Sequence, residues 1–423
     1  MTKGEIFVAD QTVLWIWLAE VFGTGSIRTD EIIDVFGSAE AVYEASPEDY
    51  RKLRYLTKSD YGKLCDKSLD EAERIFSYCA DKNYHLIPLD SPSYPGKLRD
   101  IPSRPIMLYA DGTLPDVDLT PSFSIVGTRK ATPYGAKVAS MMAMGVAQAG
   151  GIVTSGMAEG IDTFAHKGAL RGNGKTIAVL GCGLDICYPR SNLELRENIR
   201  GSGCVLSEHP PKTRPTQYAF PIRNRIISGL SEVTVVVEAG IKSGSLITAT
   251  SAAEQGRTVY AVPGNVDRSE SAGPNRLIID GARPLVTVRQ LIAETLPLYP
   301  HVLRLAALEN TSLLETATQA ESELLEEIKT NQKHIHTKKA PEPVQSTLTG
   351  METETVKKPL SAPEGLNELQ MQIYRVVSEG NPNLNEIAAA CSAPVYKVLA
   401  EVTALELKKV IELLPTGRFI IKD

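Results

Sequence analysis

Four glycine-bearing turns in the middle of this 423-residue chain carry the residues best suited to chemistry. Gly127-Thr128-Arg129 follows the apolar run Ser124-Ile125-Val126, and Ser155-Gly156 opens the turn from Thr154 to Asp162. Gly181-Cys182-Gly183-Leu184-Asp185 leads to Tyr188-Pro189-Arg190, and Lys242-Ser243-Gly244-Ser245 follows the run that begins at Val233. Glycine lets backbone amides approach an anion, a helix start turns several N–H groups the same way, and arginine adds charge-assisted donors. A fifth motif, Phe220-Pro221-Ile222-Arg223-Asn224-Arg225, sets an aromatic ring ahead of two arginines and an asparagine, types that stack a base and hold phosphate. The chemistry implied is anion binding.

Catalytic chemistry has thinner support. Asp162 and His166 stand at helical spacing and could be read as acid and base, but no nucleophile accompanies them and a helix cap or structural hydrogen bond accounts for both. The six cysteines (Cys65, Cys79, Cys182, Cys187, Cys204, Cys391) include no Cys-x-x-Cys pair, so neither a disulfide nor a zinc framework is expected. Cys182 and Cys187 read as small buried residues beside a glycine turn. His334 and His336 read as an exposed pair in a charged tract, so no metal is expected. The first turn is not Gly-x-Gly-x-x-Gly and no acidic partner for a ribose closes the second strand, which disfavours nicotinamide; no cofactor is expected.

The elements that must position these turns are legible as periodicities. Residues 1–83 read as short helices with apolar residues three and four apart, and the turn Phe22-Gly23-Thr24-Gly25-Ser26 looks either like a phosphate-approaching hairpin or like a glycine-dependent helix cap. From Tyr84 to about 120, closely spaced prolines leave short strands and turns, a lead-in segment. Six apolar strands then alternate with stretches long enough for helices, which predicts a parallel sheet with helices on both faces, its turns gathered at one carboxyl edge. Residues 297–365 turn charged and then rich in Pro, Thr and Ser, and read as a largely flexible linker. Residues 366–423 recover helical periodicity for three helices and a terminal hairpin, the plan of a winged helix, with Lys397, Lys408 and Lys409 set beside Glu401, Glu406 and Glu412.

Charge is unevenly spread. The net charge is −6, yet Pro121 to Arg289 holds 19 Lys and Arg against 12 Asp and Glu. That local excess fits an anion-binding surface and equally a solvated charged face. No signal-like leader and no apolar run of about 18 residues or more occurs, so the chain reads as cytoplasmic, without membrane insertion.

Six motifs in order, IVGTRKATPYG, SGMAEGIDTFAHKGAL, GCGLDICYP, FPIRNRIISGLS, EAGIKSGSLITA and VPGNVDRSESAGPNRLIIDGA, closely resemble the DprA/Smf family of DNA-processing proteins over most of Tyr84 to Val288. The resemblance implies an extended Rossmann-like sheet over 84–296, an amino-terminal helix-hairpin-helix or SAM-like domain over 1–83 and a carboxyl-terminal winged helix. It further implies a homodimer, not an enzyme, that binds single-stranded DNA, loads the recombinase RecA and displaces or bypasses single-strand-binding protein, with natural transformation as a setting. By motif, Arg129 is the foremost DNA contact, followed by Arg223 and Arg225, with Arg190 at a position that is often basic. A rival is a nucleotide phosphoribohydrolase of the LOG type, but its PGGxGTxxE signature has no counterpart at Ala239 to Thr248. A regulator acting through the winged helix is a third reading, weakened by that segment's mixed charge.

Overall fold

The computed structural model describes residues 10–308 and, of the following chain, 366–421 without 381, 383, 392, 394, 409 and 414–418. Six short helices come first: α1 (Gln11–Phe22), α2 (Ile27–Phe36), α3 (Ala39–Glu44), α4 (Pro47–Arg51), α5 (Lys58–Asp66) and α6 (Asp70–Asp81). Local chemistry delimits them. Ser46 and Asp49 form a capping box on α4 and Thr57 and Asp60 another on α5, while Gly37, at φ 84°, ends α2 in the left-handed region.

The lead-in segment supplies β1 (His85–Pro88) and β2 (Met107–Gly112), and the six apolar runs appear as β3 (Ser122–Val126), β4 (Ile152–Ser155), β5 (Thr176–Leu180), β6 (Cys204–Ser207), β7 (Val233–Val236) and β8 (Thr258–Ala261). Between and after them lie α7 (Pro133–Gln148), α8 (Ile161–Arg171), α9 (Leu193–Ser202), α10 (Ala219–Gly229), α11 (Gly244–Glu254), α12 (Ala272–Ile279), the two-residue β9 (Arg283–Pro284) and α13 (Val288–Thr295). The nine strands run in the order β1-β2-β6-β5-β4-β3-β7-β8-β9. From β6 to β9 every pairing is parallel, and β1 and β2 add an antiparallel edge. The chain walks outward from β3 through β4, β5 and β6, then returns to lay β7 on the other flank of β3. The carboxyl ends of β3 and β7 therefore flank the point where connection direction reverses, where sheets of this kind place ligands.

Strand alternation divides the core. Phe123, Ile125, Val153 and Val235 pack with α7, α8 and α13, while Val126, Ile152, Val179 and Val236 share an apolar cluster with α10 and the amino-terminal helices. The middle of the sheet also buries hydroxyls. Ser124 donates to the Ile227 carbonyl of α10 at 2.9 Å and Ser231 to the same carbonyl at 3.1 Å, while Ser122 pairs with Thr154 at 2.6 Å. These hydroxyls thereby find partners, which removes the penalty of desolvating them, whereas the Thr234 hydroxyl of β7 is buried without one among the described residues.

Order continues beyond the expected start of the linker: Leu303 and Leu308 join the core, and the Arg304 amide donates to the Ala149 carbonyl at 2.9 Å. His334 and His336 lie outside the described residues. In a second unit, α14 (Glu368–Glu379), α15 (Leu384–Ala390), α16 (Val395–Leu407) and the antiparallel pair β10 (Ile411–Leu413) and β11 (Phe419–Ile421) enclose their own small core of Ile373, Ile387, Val398, Leu405 and Phe419. There Glu401 accepts from Asn367 and Gln370, so one of the acids set beside the lysines is spent internally, while Lys397 and Lys408 are exposed and Lys409 lies outside the described residues. Among the described residues no helix is long and apolar enough to cross a membrane.

Gly168 lets α7 and α8 close on each other, since a Cβ there would stand 2.2 Å from the Ser140 carbonyl oxygen. Backbone cannot yield as a flexible side chain does, so Gly168→Ala is expected to destabilise the protein by about 1–3 kcal/mol through overpacking, read as a lower urea midpoint with unchanged slope.

Candidate nucleic-acid interface

The turns after β3, β4, β5 and β7 do meet at one carboxyl edge, but their residues divide into an interior set and a solvent-facing set. Arg223, on the buried face of α10, is 5% exposed. Its Nη1 donates to the Gly156 carbonyl at 2.8 Å and to the Val179 carbonyl. Asp162 sits close enough to act on its charge and itself accepts from the amides of Gly156 (3.1 Å) and Ala158 (3.4 Å). Burial, joined by the positive charge of Arg129, pulls Arg223 down to about 10 while Asp162 opposes the shift. Burial likewise raises Asp162, against the pull of Arg223.

Arg225, 9% exposed, turns the other way along α10. Its Nη2 reaches Glu208 Oε1 at 2.6 Å and its Nε the Ser103 carbonyl at 3.0 Å. Both arginines hold the protein together from within, which corrects the sequence reading that gave them to phosphate. The reason is that α10 is covered on more than one side: positions two apart on a helix point in nearly opposite directions, so Arg223 turns to the sheet edge and Arg225 to Ser103 and Glu208, and both are enclosed.

Four further expected contacts are also interior. The Ser155 hydroxyl donates to the Ile125 carbonyl at 2.7 Å, and Gly156 is buried with its carbonyl given to Arg223. Asn224 donates from Nδ2 to the Gly244 carbonyl at 3.2 Å, tying α10 to the start of α11. Ser245 is buried against the capping Ser243, its hydroxyl 2.8 Å from that of Ser243. Gly127 is wedged where a Cβ would meet Ile161 and the Glu238 carbonyl, and the Thr128 amide donates to that same carbonyl at 2.6 Å.

Arg129, Arg190, Lys242 and Gly244 face solvent, with Phe220 and Ser243 half-buried beside them. The Arg129 guanidinium lies over the Phe220 ring at 4.9 Å from its centroid, and the Tyr188 ring, 42% exposed, sits 5.6 Å from Phe220. Among the described residues no carboxylate forms a salt bridge with Arg129, Arg190 or Lys242. Such a rim offers cations without a carboxylate partner and one partly exposed ring, that of Tyr188. Tyr188 and Lys130 were absent from the residues expected to bind. Tyr188 stands two positions before Arg190 at the end of the third turn, and only the fold brings it to Phe220. Lys130, exposed next to Arg129, was readable from the sequence alone.

Two glycine turns that invite anions are already satisfied. In the turn after α1, Gly25 donates its amide to Glu208 at 3.2 Å, so this hairpin faces the protein rather than a phosphate. At the start of α7, the Glu238 carboxylate accepts from the amide and the hydroxyl of Thr132. Asp162 and His166 make structural hydrogen bonds: Asp162 ties its own turn, and the His166 Nδ1 lies 2.7 Å from the Thr176 hydroxyl, fully buried. The cysteines of this unit are free, and burial raises the thiols of Cys182 and Cys187.

Fold and edge together define an α/β protein with a large, mostly parallel sheet, in which carboxylates close the start of α7 and the turn after β4 and the solvent rim is basic and aromatic. Residues 85–296 match the family model described as DNA recombination-mediator protein A. The chain is 39% identical over 221 residues to the DNA processing protein DprA of Bacillus subtilis, spanning 52% of this chain and 74% of that protein. It is 43% identical over 225 residues to the protein Smf of Escherichia coli, spanning 53% and 60% respectively. The X-ray structure of DNA processing protein A (DprA) from Streptococcus pneumoniae superposes with a TM-score of 0.59 at 31% identity, covering 67% of this chain and 97% of that one. The chain belongs to the DNA recombination-mediator protein A family, the DprA/Smf proteins, which places it in DNA processing and recombination.

Burial, with help from the charge of Arg223, lowers His166 from its ordinary 6.5 to about 3, so the folded protein keeps it neutral where the unfolded chain protonates it. Its contribution to stability is complete above pH 6.5 and is lost as pH falls from there toward 3, at up to about 1.4 kcal/mol per pH unit. His166→Gln, which cannot titrate, is expected to show a flatter fall in urea-unfolding free energy between pH 6 and 4 than the parent protein; parallel curves would remove His166 from the acid response.

Proposed function

We propose that the protein binds single-stranded DNA without sequence preference along the rim of Arg129, Lys130, Phe220, Tyr188, Arg190 and Lys242, and delivers the strand to the recombinase RecA, displacing or bypassing single-strand-binding protein during recombination and DNA uptake. The Arg129 guanidinium stacked on Phe220, with Tyr188 alongside, carries this reading. A cation and two rings side by side engage the two features that every strand offers, phosphates and base faces, and neither encodes sequence. A duplex hides its base faces in the stack, so the arrangement favours single strands. The family's link to recombination supports the setting, and the open α/β sheet with its reversed connection supports the place.

The rest of the reading follows the same division. Residues 84–296 form the DNA-binding domain, 1–83 a helix-hairpin-helix or SAM-like domain, 297–365 a linker and 366–423 a winged helix, for which the three helices and the antiparallel pair are support. The protein works in the cytoplasm as a homodimer. Two rims on one strand raise effective concentration and favour long strands over short ones. The function is binding rather than turnover, with neither cofactor nor metal, and Glu238 at the start of α7 speaks against the phosphoribohydrolase alternative by standing where a nucleotide phosphate would go.

Fluorescence anisotropy with labelled oligonucleotides across a salt series tests the binding. Single strands are expected to bind more tightly than duplex, with log affinity falling against log salt by about 0.7 for each phosphate neutralised. Arg129→Ala should flatten that slope by about the same amount without changing the thermal midpoint, and Tyr188→Ala should cost about 1–3 kcal/mol of binding. Equal affinity for single strands and duplex defeats the reading.

Delivery to RecA is tested separately, by strand exchange on single strands already coated with single-strand-binding protein. The wild type is expected to stimulate the cognate RecA and Arg129→Ala to stimulate much less. Equal stimulation by both would show that mediation does not pass through this rim.

A further inference from the structure

In a sheet that reverses direction between β3 and β7, the start of the helix after β3 is the natural seat for the pyrophosphate of a nucleotide: the turn approaches closely, and the first amides and the helix dipole point at the anion. Here that seat holds a side chain. Glu238 follows β7 by two residues and is 4% exposed. Its Oε2 accepts the Thr132 amide at 3.0 Å and its Oε1 the Thr132 hydroxyl, while the same hydroxyl accepts the Gly135 amide at 3.1 Å. The fit is close, since a Cβ on Gly135 would come within 2.2 Å of the Glu238 carboxylate. The backbone carbonyl of Glu238 holds the turn from the other side by accepting the Thr128 amide at 2.6 Å. Tyr134, half exposed at the first turn of α7, lies near enough that burial and then the Glu238 charge raise its phenol.

We propose that Glu238 is a specificity-determining residue that occupies the nucleotide-phosphate seat of this sheet with its own carboxylate, so that free nucleotides are refused and anions reach only the rim outside. The carboxylate supplies what a bound phosphate oxygen supplies, a negative charge at a helix start and acceptors for its amide and hydroxyl donors. It does so from within the chain, at an effective concentration no free nucleotide matches. A second anion placed there would face like-charge repulsion in a buried setting, where it is least screened. The arrangement also explains how a sheet of this topology carries Gly127, Thr128 and Arg129 at its switch point without being a nucleotide enzyme: the turn is held by protein rather than by ligand, and Arg129 is left to face outward.

The test uses the full-length protein, inorganic pyrophosphate as probe and no DNA, so its outcome is separate from that of the strand-binding reading. Wild type, Glu238→Ala and Glu238→Ser are titrated with pyrophosphate at constant ionic strength, following the thermal midpoint and the amide resonances of Thr132 and Gly135. The wild type should show no rise in midpoint at 10 mM and no shift at these amides. Each variant should bind, with a midpoint rise of roughly 2–5 °C once pyrophosphate exceeds its Kd about tenfold, and with both amides shifted. A folded variant that gains no pyrophosphate-dependent shift at these amides overturns the proposal, as does a wild type that binds there. Should both variants fail to fold, pyrophosphate is expected to restore folding, since it replaces the missing anion; failure of that rescue also counts against the proposal.

Discussion

Burying a guanidinium such as that of Arg223 obliges the surrounding chain to answer its charge from inside, because a buried ion left without a partner costs roughly 3–5 kcal/mol. The answer comes from the turn after β4, through the Gly156 carbonyl and Asp162, and from the end of β5, through Val179. One side chain of α10 therefore joins the ends of two neighbouring strands. The turn after β4 is further tied to that after β3 by the Ile161 amide, which donates to the Thr128 carbonyl at 3.1 Å. The carboxyl edge is thus held as one unit, and the direction in which Arg129 leaves it follows from that hold.

Glu208 and Glu238 extend the same logic. Each takes over donors that a glycine turn or helix start leaves unsatisfied, the first at Gly25 and the second at Thr132. Since Glu208 also pairs with Arg225, it links the turn after α1 to α10 and so binds the helical segment to the sheet. The buried carboxylates are spent on interior donors, and the cations left at the surface give the rim its charge. Arg129 meets an aromatic face rather than an acid, a contact that keeps the charge available to an anion while fixing where it sits.

The strands were legible because parallel strands buried on both faces must be apolar almost continuously, and six such runs separated by helix-length stretches leave few other architectures. Ser124 between the apolar residues of β3 was equally visible, but its partner, the Ile227 carbonyl, was not. Of the residues that the sequence nominates, Arg129, Arg190 and Lys242 lie exposed and Phe220 half-buried, as residues beside a turn can. Tyr188 escaped notice because its value comes from a ring more than thirty residues further along the chain. Arg223 and Arg225 were misjudged for the opposite reason. Residue type announces what a side chain can bind, whereas burial decides whether anything outside can reach it.

By itself, then, the order of residues determined the alternation of strand and helix, the gathering of glycine turns at one edge and the surplus of basic charge in the central segment, since all three depend on local pattern or simple count. Only the tertiary structure decided which cations are exposed and which anion seats are already filled. The identity of a donor's partner depends on contacts between Glu238 and Thr132, or Arg223 and Val179, that lie far apart in sequence and are created by packing. Because the cost of leaving a buried charge unanswered exceeds the net gain from most single contacts, those distant pairings control what the edge presents to solvent.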